Sequence, residues 1–140
     1  MGKDIFKLTI PGKPDCISVA RLTSSAIANK IGLSLEEIED IKVALSEACT
    51  NALKRADEIN IQFVIDDEKF TMIVENVLLP IESDDISTKE LEMGILIMKS
   101  LMDEVKFYNE GVELIKHMKD GNKNEHKLSI WYKGNGKRGC

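Results

Sequence analysis

Ser46-Glu47-Ala48-Cys49-Thr50-Asn51-Ala52 sets a carboxylate and a carboxamide four residues apart. On a helix, Glu47 and Asn51 would project from one face, one turn apart. Placed that way they can share one small polar site. The carboxylate can orient a nucleophile or take its proton, and the amide oxygen can bind a magnesium ion that bridges phosphates. The same pair on a solvated helix face would need no chemistry, and spacing alone leaves both readings open.

The elements that must position the pair follow from pattern. Ser34 with Glu37 three residues later is a capping-box signature, so a helix should start there. Its apolar stripe takes in Leu35, Ile38, Ile41, Leu45 and Ala48, and it should run to about Ala56. An earlier helix opens at Pro14-Asp15, carries Ile17, Ala20, Ser24, Ile27, Ala28 and Ile31 at three- and four-residue steps, and finds a C-cap at Gly32. Ile5 to Ile10, ended by Pro11-Gly12, reads as an edge strand. After Ala56 the period changes to two: Ile59, Ile61, Phe63 and Ile65 alternate with polar or smaller residues, and Asp66-Asp67-Glu68 turns the chain into Phe70, Met72 and Val74. Glu82 to Lys89 reads as an acidic loop, and a third helix should span about Glu90 to Met102. Val105–Tyr108 and Val112–Met118 look like strands joined through Asn109-Glu110-Gly111, and Lys127–Tyr132 like one more. The order predicts an α+β two-layer sandwich: a mixed or antiparallel sheet with helices on one face. Residues 1–133 form the expected domain, and 134–140 a Gly- and Lys-rich disordered tail.

Composition narrows the function classes. A chain of 140 residues with 43% hydrophobic content fits one domain with a real core. The net charge of -5 argues against a nucleic-acid binder and suits a basic protein partner. No apolar run nears the roughly 20 residues of a membrane span, and the N-terminus lacks a signal-peptide core. Cysteines 16, 49 and 140 are too scattered for a zinc site or a disulfide framework, and Cys49 is most simply a small core residue. A cytoplasmic protein is expected.

Residues 35–52, with the Glu47–Asn51 pair near their end, resemble the N box of the anti-sigma-factor serine kinases. These are small relatives of the histidine-kinase, gyrase and heat-shock-chaperone ATPases. Ser18-Val19-Ala20-Arg21-Leu22-Thr23 is similar to the family's first helix, and residues 93–105 to its second glycine box and following helix. The resemblance implies a histidine-kinase-like ATPase fold from about Phe6 to Met118. It implies ATP and magnesium as cofactors, with Glu47 activating a serine of the substrate protein and Asn51 binding magnesium. Arg55 corresponds to a basic residue near the phosphates, and Arg21 to an arginine that contacts the sigma factor and the anti-anti-sigma factor. A homodimer through the first helix is implied too, with no direct contact to nucleic acid or membrane.

The nucleotide boxes depart from the family pattern. Asn76 stands where an aspartate should meet the adenine amino group; it can offer an oxygen, but without the charge. Leu78 and Pro80 stand at glycine positions, where side chains take up volume beside the ligand. Gly94 is kept, but Glu92 occupies the earlier glycine position of that box. Only Glu82 to Glu92 separate the two boxes, where the family has a much longer lid, and a supporting threonine aligns near Glu113. Phosphoryl transfer depends mostly on positioning. The expected function is therefore an anti-sigma factor that sequesters a sigma factor and switches to an anti-anti-sigma protein, with weak or lost ATP binding. The alternative is an active serine-protein kinase that phosphorylates the anti-anti-sigma factor. A scaffold reusing the fold is a third reading.

Overall fold

The computed structural model describes residues 2–80 and 86–118. Five strands, β1 (Asp4–Pro11), β2 (Glu58–Ile65), β3 (Lys69–Glu75), β4 (Glu104–Tyr108) and β5 (Gly111–His117), form one sheet in the order β1-β2-β3-β5-β4. Every neighbouring pair is antiparallel. Three helices, α1 (Ile17–Lys30), α2 (Leu35–Leu53) and α3 (Ile86–Leu101), share one core with a single face of that sheet. This is the α+β sandwich that the alternation of periods predicts, with β1 at an edge. The expected strand Lys127–Tyr132 and the tail lie outside the described residues.

The junction between α1 and α2 is fixed by local chemistry. Gly32 takes φ 88°, a left-handed conformation that costs a side-chain-bearing residue energy. Its N–H donates to Asn29 O, and that of Leu33 to Ala28 O, which closes the end of α1 in a Schellman arrangement. One residue later Ser34 Oγ accepts from the Glu37 N–H at 3.1 Å, while Ser34 N–H donates to Glu37 Oε1 at 2.9 Å. Two helices are thus capped back to back, and α2 is aimed across the sheet.

Along α2 the buried side is built from Ile38, Ile41, Ala44, Leu45, Ala48, Cys49 and Ala52. Small residues toward its C-terminal half let the neighbouring helices approach closely. Across the hairpin of β2 and β3, Phe63 and Phe70 are fully buried and stack with ring centroids 6.2 Å apart.

One burial and two helix boundaries differ from the sequence reading. Leu35, expected on the apolar stripe, is 81% exposed, because the first residue of α2 precedes the turn at which the helix meets the core. The helix ends at Leu53 rather than Ala56, with Lys54, Arg55 and Ala56 closing the last turn onto Asn51 and Ala52. α3 begins at Ile86, four residues before Glu90; its first turn is largely exposed, so it carries no apolar period and reads as loop.

Cys49 is fully buried, as expected, and burial pushes its thiol up to about 12, partly offset by the Arg21 guanidinium. An unfolded chain ionises the same thiol near pH 9, so its contribution to stability is full below that pH and is lost as pH rises toward 12. Chemical denaturation from pH 8 to 11 should show an alkaline decline that Cys49→Ala flattens, by up to about 1.4 kcal/mol per pH unit. An identical slope in the two proteins would contradict the burial.

Candidate functional site

Glu47 and Asn51 lie on α2 where it passes α3, and both border one small cavity. Lys54, Glu90, Gly94 and Met98 complete most of its wall. α3 can come this close because residue 94 is glycine: a Cβ there would lie 2.9 Å from Glu47 Oε1. The Glu47 carboxylate and the second-box glycine are therefore direct neighbours.

Asn51 is spent on the protein itself. It is 3% exposed, and its carboxamide faces the backbone of Leu78 in the segment after β3. Asn51 Nδ2 donates to Leu78 O at 3.1 Å, and Leu78 N–H donates to Asn51 Oδ1 at 3.3 Å. The side chain pairs with a peptide unit much as a neighbouring strand would. Each of its functional groups makes one of these bonds, the oxygen that would face a metal among them. What remains between α2 and α3 is a cavity of about 50 Å³, against roughly 300–1,000 Å³ for ordinary small-molecule sites. That is room for a water or two. In this arrangement a cavity of that size does not hold a nucleotide.

The other sequence candidates scatter. Arg55 lies past the end of α2, exposed; Lys54, one residue earlier, supplies the cation at the cavity wall. Spacing could have found Lys54, since it stands seven residues after Glu47, two turns along the same face. Asn76 is half-buried at φ 66°, with its N–H bonded to Glu110 O, and borders a separate open pocket beside Tyr108 and Glu110. A left-handed residue is needed there, and Asn tolerates that conformation better than most. Glu92 is exposed on α3; the carboxylate at the cavity wall is Glu90. Glu113 pairs with Ile73 and Lys106 on the sheet face away from the helices, so it does not support a ligand on the helix side.

Arg21 is half-buried, and its Nη1 donates to Ser46 Oγ at 3.1 Å, joining α1 to α2 one residue before Glu47. That bond takes one of the five N–H groups of a guanidinium. Among the described residues no group of three or more His, Cys, Asp and Glu side chains is placed to hold a metal ion.

Residues 10–116 match the profile of the histidine kinase-like ATPase domain. This chain belongs to that family, whose description makes ATP the nucleotide such a site would take. Within the family it is similar to proteins named serine-protein kinase RsbW. The protein of that name from Listeria monocytogenes serotype 4a (strain HCC23) is 33% identical over 136 positions, covering 80% of this chain and 85% of the relative. That of Bacillus subtilis (strain 168) is 29% identical over 153 positions, with 91% and 93% covered, and that of Oceanobacillus iheyensis 34% over 127, with 76% and 80%. The Bacillus alignment is longer than the 140 residues of this whole chain, so that relative carries segments with no counterpart here.

The paired bonds to Leu78 make a direct prediction. Asn51→Ala should lower stability by about 2 kcal/mol without any nucleotide present, because it strands a backbone N–H and C=O. Urea unfolding of the two proteins measures this. An unchanged or raised midpoint would mean that the side chain is held in readiness for a ligand rather than used by the fold.

Proposed function

We propose that this protein is a regulator of the anti-sigma type. It sequesters a sigma factor, exchanges it for an anti-anti-sigma protein, and binds ATP weakly or not at all. The observation that carries the reading is the double hydrogen bond between Asn51 and Leu78. It ties the first glycine-box segment onto α2, across the place where phosphates and magnesium would need Asn51. Leu78 and Pro80 in that segment, the small cavity, and the relatives' extra segments point the same way.

On this reading α1 carries the partner contact. Arg21, steadied by Ser46, keeps N–H groups for a carboxylate of the partner, and its planar fork suits bidentate pairing. Val19 and Leu22, 46% and 69% exposed on the same helix, add apolar surface. The same helix would serve a homodimer. A cytoplasmic site of action completes the reading; no described helix is long and apolar enough to cross a membrane.

A second reading, an active serine-protein kinase, has two specific supports. Glu47, Asn51 and Gly94 do gather at one cavity, and the relatives bear a kinase name. Under it, Asn51 would have to release Leu78, Glu47 would take the proton from a serine of an anti-anti-sigma protein, and Lys54 would face the phosphates.

Adding millimolar ATP and magnesium separates the two readings. With an affinity weaker than about 1 mM, mass action adds only ~0.4 kcal/mol, and the melting temperature should barely move. A clear upward shift, or phosphate transfer to a serine of the partner that disappears in Glu47→Ala, would establish the kinase instead. For partner binding, Arg21→Ala should weaken affinity for the sigma factor by at least ~1 kcal/mol at an unchanged melting temperature, as read by titration calorimetry. Equal affinity would return Arg21 to a purely structural tie between α1 and α2.

A further inference from the structure

α3 carries apolar residues on two sides. One side, with Gly94, Ile95 and Met98, is buried. The other holds Ile86, Met93 and Leu96, which are 75%, 58% and 57% exposed. Steps of seven and three residues bring these three onto one stripe that runs along most of the helix. Single apolar side chains at a surface need no explanation, whereas three aligned on one helix make a seam that a second element can cover.

The charges beside the stripe say what that element is. Glu92 and Lys99 stand on the same flank, seven residues and so about 10 Å apart along the axis, too far to pair with each other. Neither side chain has an ion-pair or hydrogen-bond partner among the described residues. Lys89 and Asp103, both already engaged within the chain, extend the flank to the order plus, minus, plus, minus. Read backwards, that order is minus, plus, minus, plus. A second α3 laid antiparallel therefore meets each charge with its opposite, and a parallel one meets like with like. Glu90, on the other flank at the cavity wall, would lie about 16 Å along the axis from its own copy, beyond the range at which exposed charges repel strongly.

We propose that α3 is a contact surface for a second copy of this chain, packed antiparallel about a twofold axis. Met93 of each copy lies beside Leu96 of the other, with Glu92 facing Lys99 across the seam twice over. The surface is separate from Arg21 and α1, and it does not depend on which partner α1 takes. Its size sets its strength. A helix of 16 residues is about 24 Å long, and one pair of such helices buries less than the roughly 1,600 Å² of a standard interface. The association is thus of the transient class, with a Kd of about 10–100 μM. Because Glu90 and Gly94 on the same helix wall the cavity, the second copy stands beside that site.

Charge exchange in the full-length chain tests this. Sedimentation equilibrium under reducing conditions, over about 5–500 μM, spans the expected Kd. Glu92→Lys puts four positive charges at the seam of a dimer and Lys99→Glu four negative ones, so each should weaken association at least tenfold. Glu92→Lys also brings the net charge of -5 nearer zero, which by itself favours association, so a weakening reports the seam. The doubly exchanged chain, Glu92→Lys with Lys99→Glu, should return to within threefold of the unchanged protein. An equimolar mixture of the two single variants should associate equally well. Both positions are exposed, and equal melting temperatures confirm that the fold is kept. A monomer throughout the range overturns the proposal. So does association that the single changes leave intact, which would place the contact elsewhere, and so does a double exchange no better than the single ones.

Discussion

A helix packed on several sides must satisfy each polar group it carries from whatever backbone it passes. α2 meets the sheet along its underside, α1 on one flank and α3 on the other. Asn51 lies near its end, almost wholly buried, and its carboxamide pairs with the Leu78 backbone. Leaving a buried amide unpaired would cost about 1–3 kcal/mol, so the segment after β3 is drawn onto the helix. The path from Asn76 to Pro80 follows from that bond as much as from its own sequence.

This same bond bears on what the site can do. Glu47 and the glycine beside it sit together, because close packing of α2 on α3 needs the glycine whether or not a ligand binds. Retained residues of this kind do not by themselves argue for retained chemistry. Phosphoryl transfer is a matter of positioning, and positioning requires the nucleotide to be held. On the proposed reading, the pairing of Asn51 with Leu78 holds the amide away from a metal while Glu47 and Gly94 stay side by side. That arrangement suits the proposed protein that works by contact more than by turnover.

Much of this was legible in the residues. The capping box of Ser34 and Glu37 and the left-handed Gly32 fix α2 by short-range chemistry, which sequence carries directly. The hairpin of β2 and β3 shows in strict alternation. The early start of α3 did not show, since a helical turn exposed on nearly all sides has no apolar period. Nor did the Arg21–Ser46 bond. That bond depends on how two helices are rotated against each other, which no local pattern encodes. Spacing set Asn51 beside Glu47 on one helix face, but its hydrogen-bond partner lies 27 residues away in the chain.

The central claim is that Asn51 belongs to Leu78 and not to a magnesium nucleotide. The side-chain amide of Asn51, followed by 15N–1H NMR together with the Leu78 backbone amide, tests it most directly. The account predicts that both signals are protected from solvent exchange in the free protein and do not move as ATP and magnesium are raised through the millimolar range. Saturable shifts of both signals, with loss of protection at Leu78, would show the nucleotide opening this contact and taking the asparagine for itself, and would contradict the account.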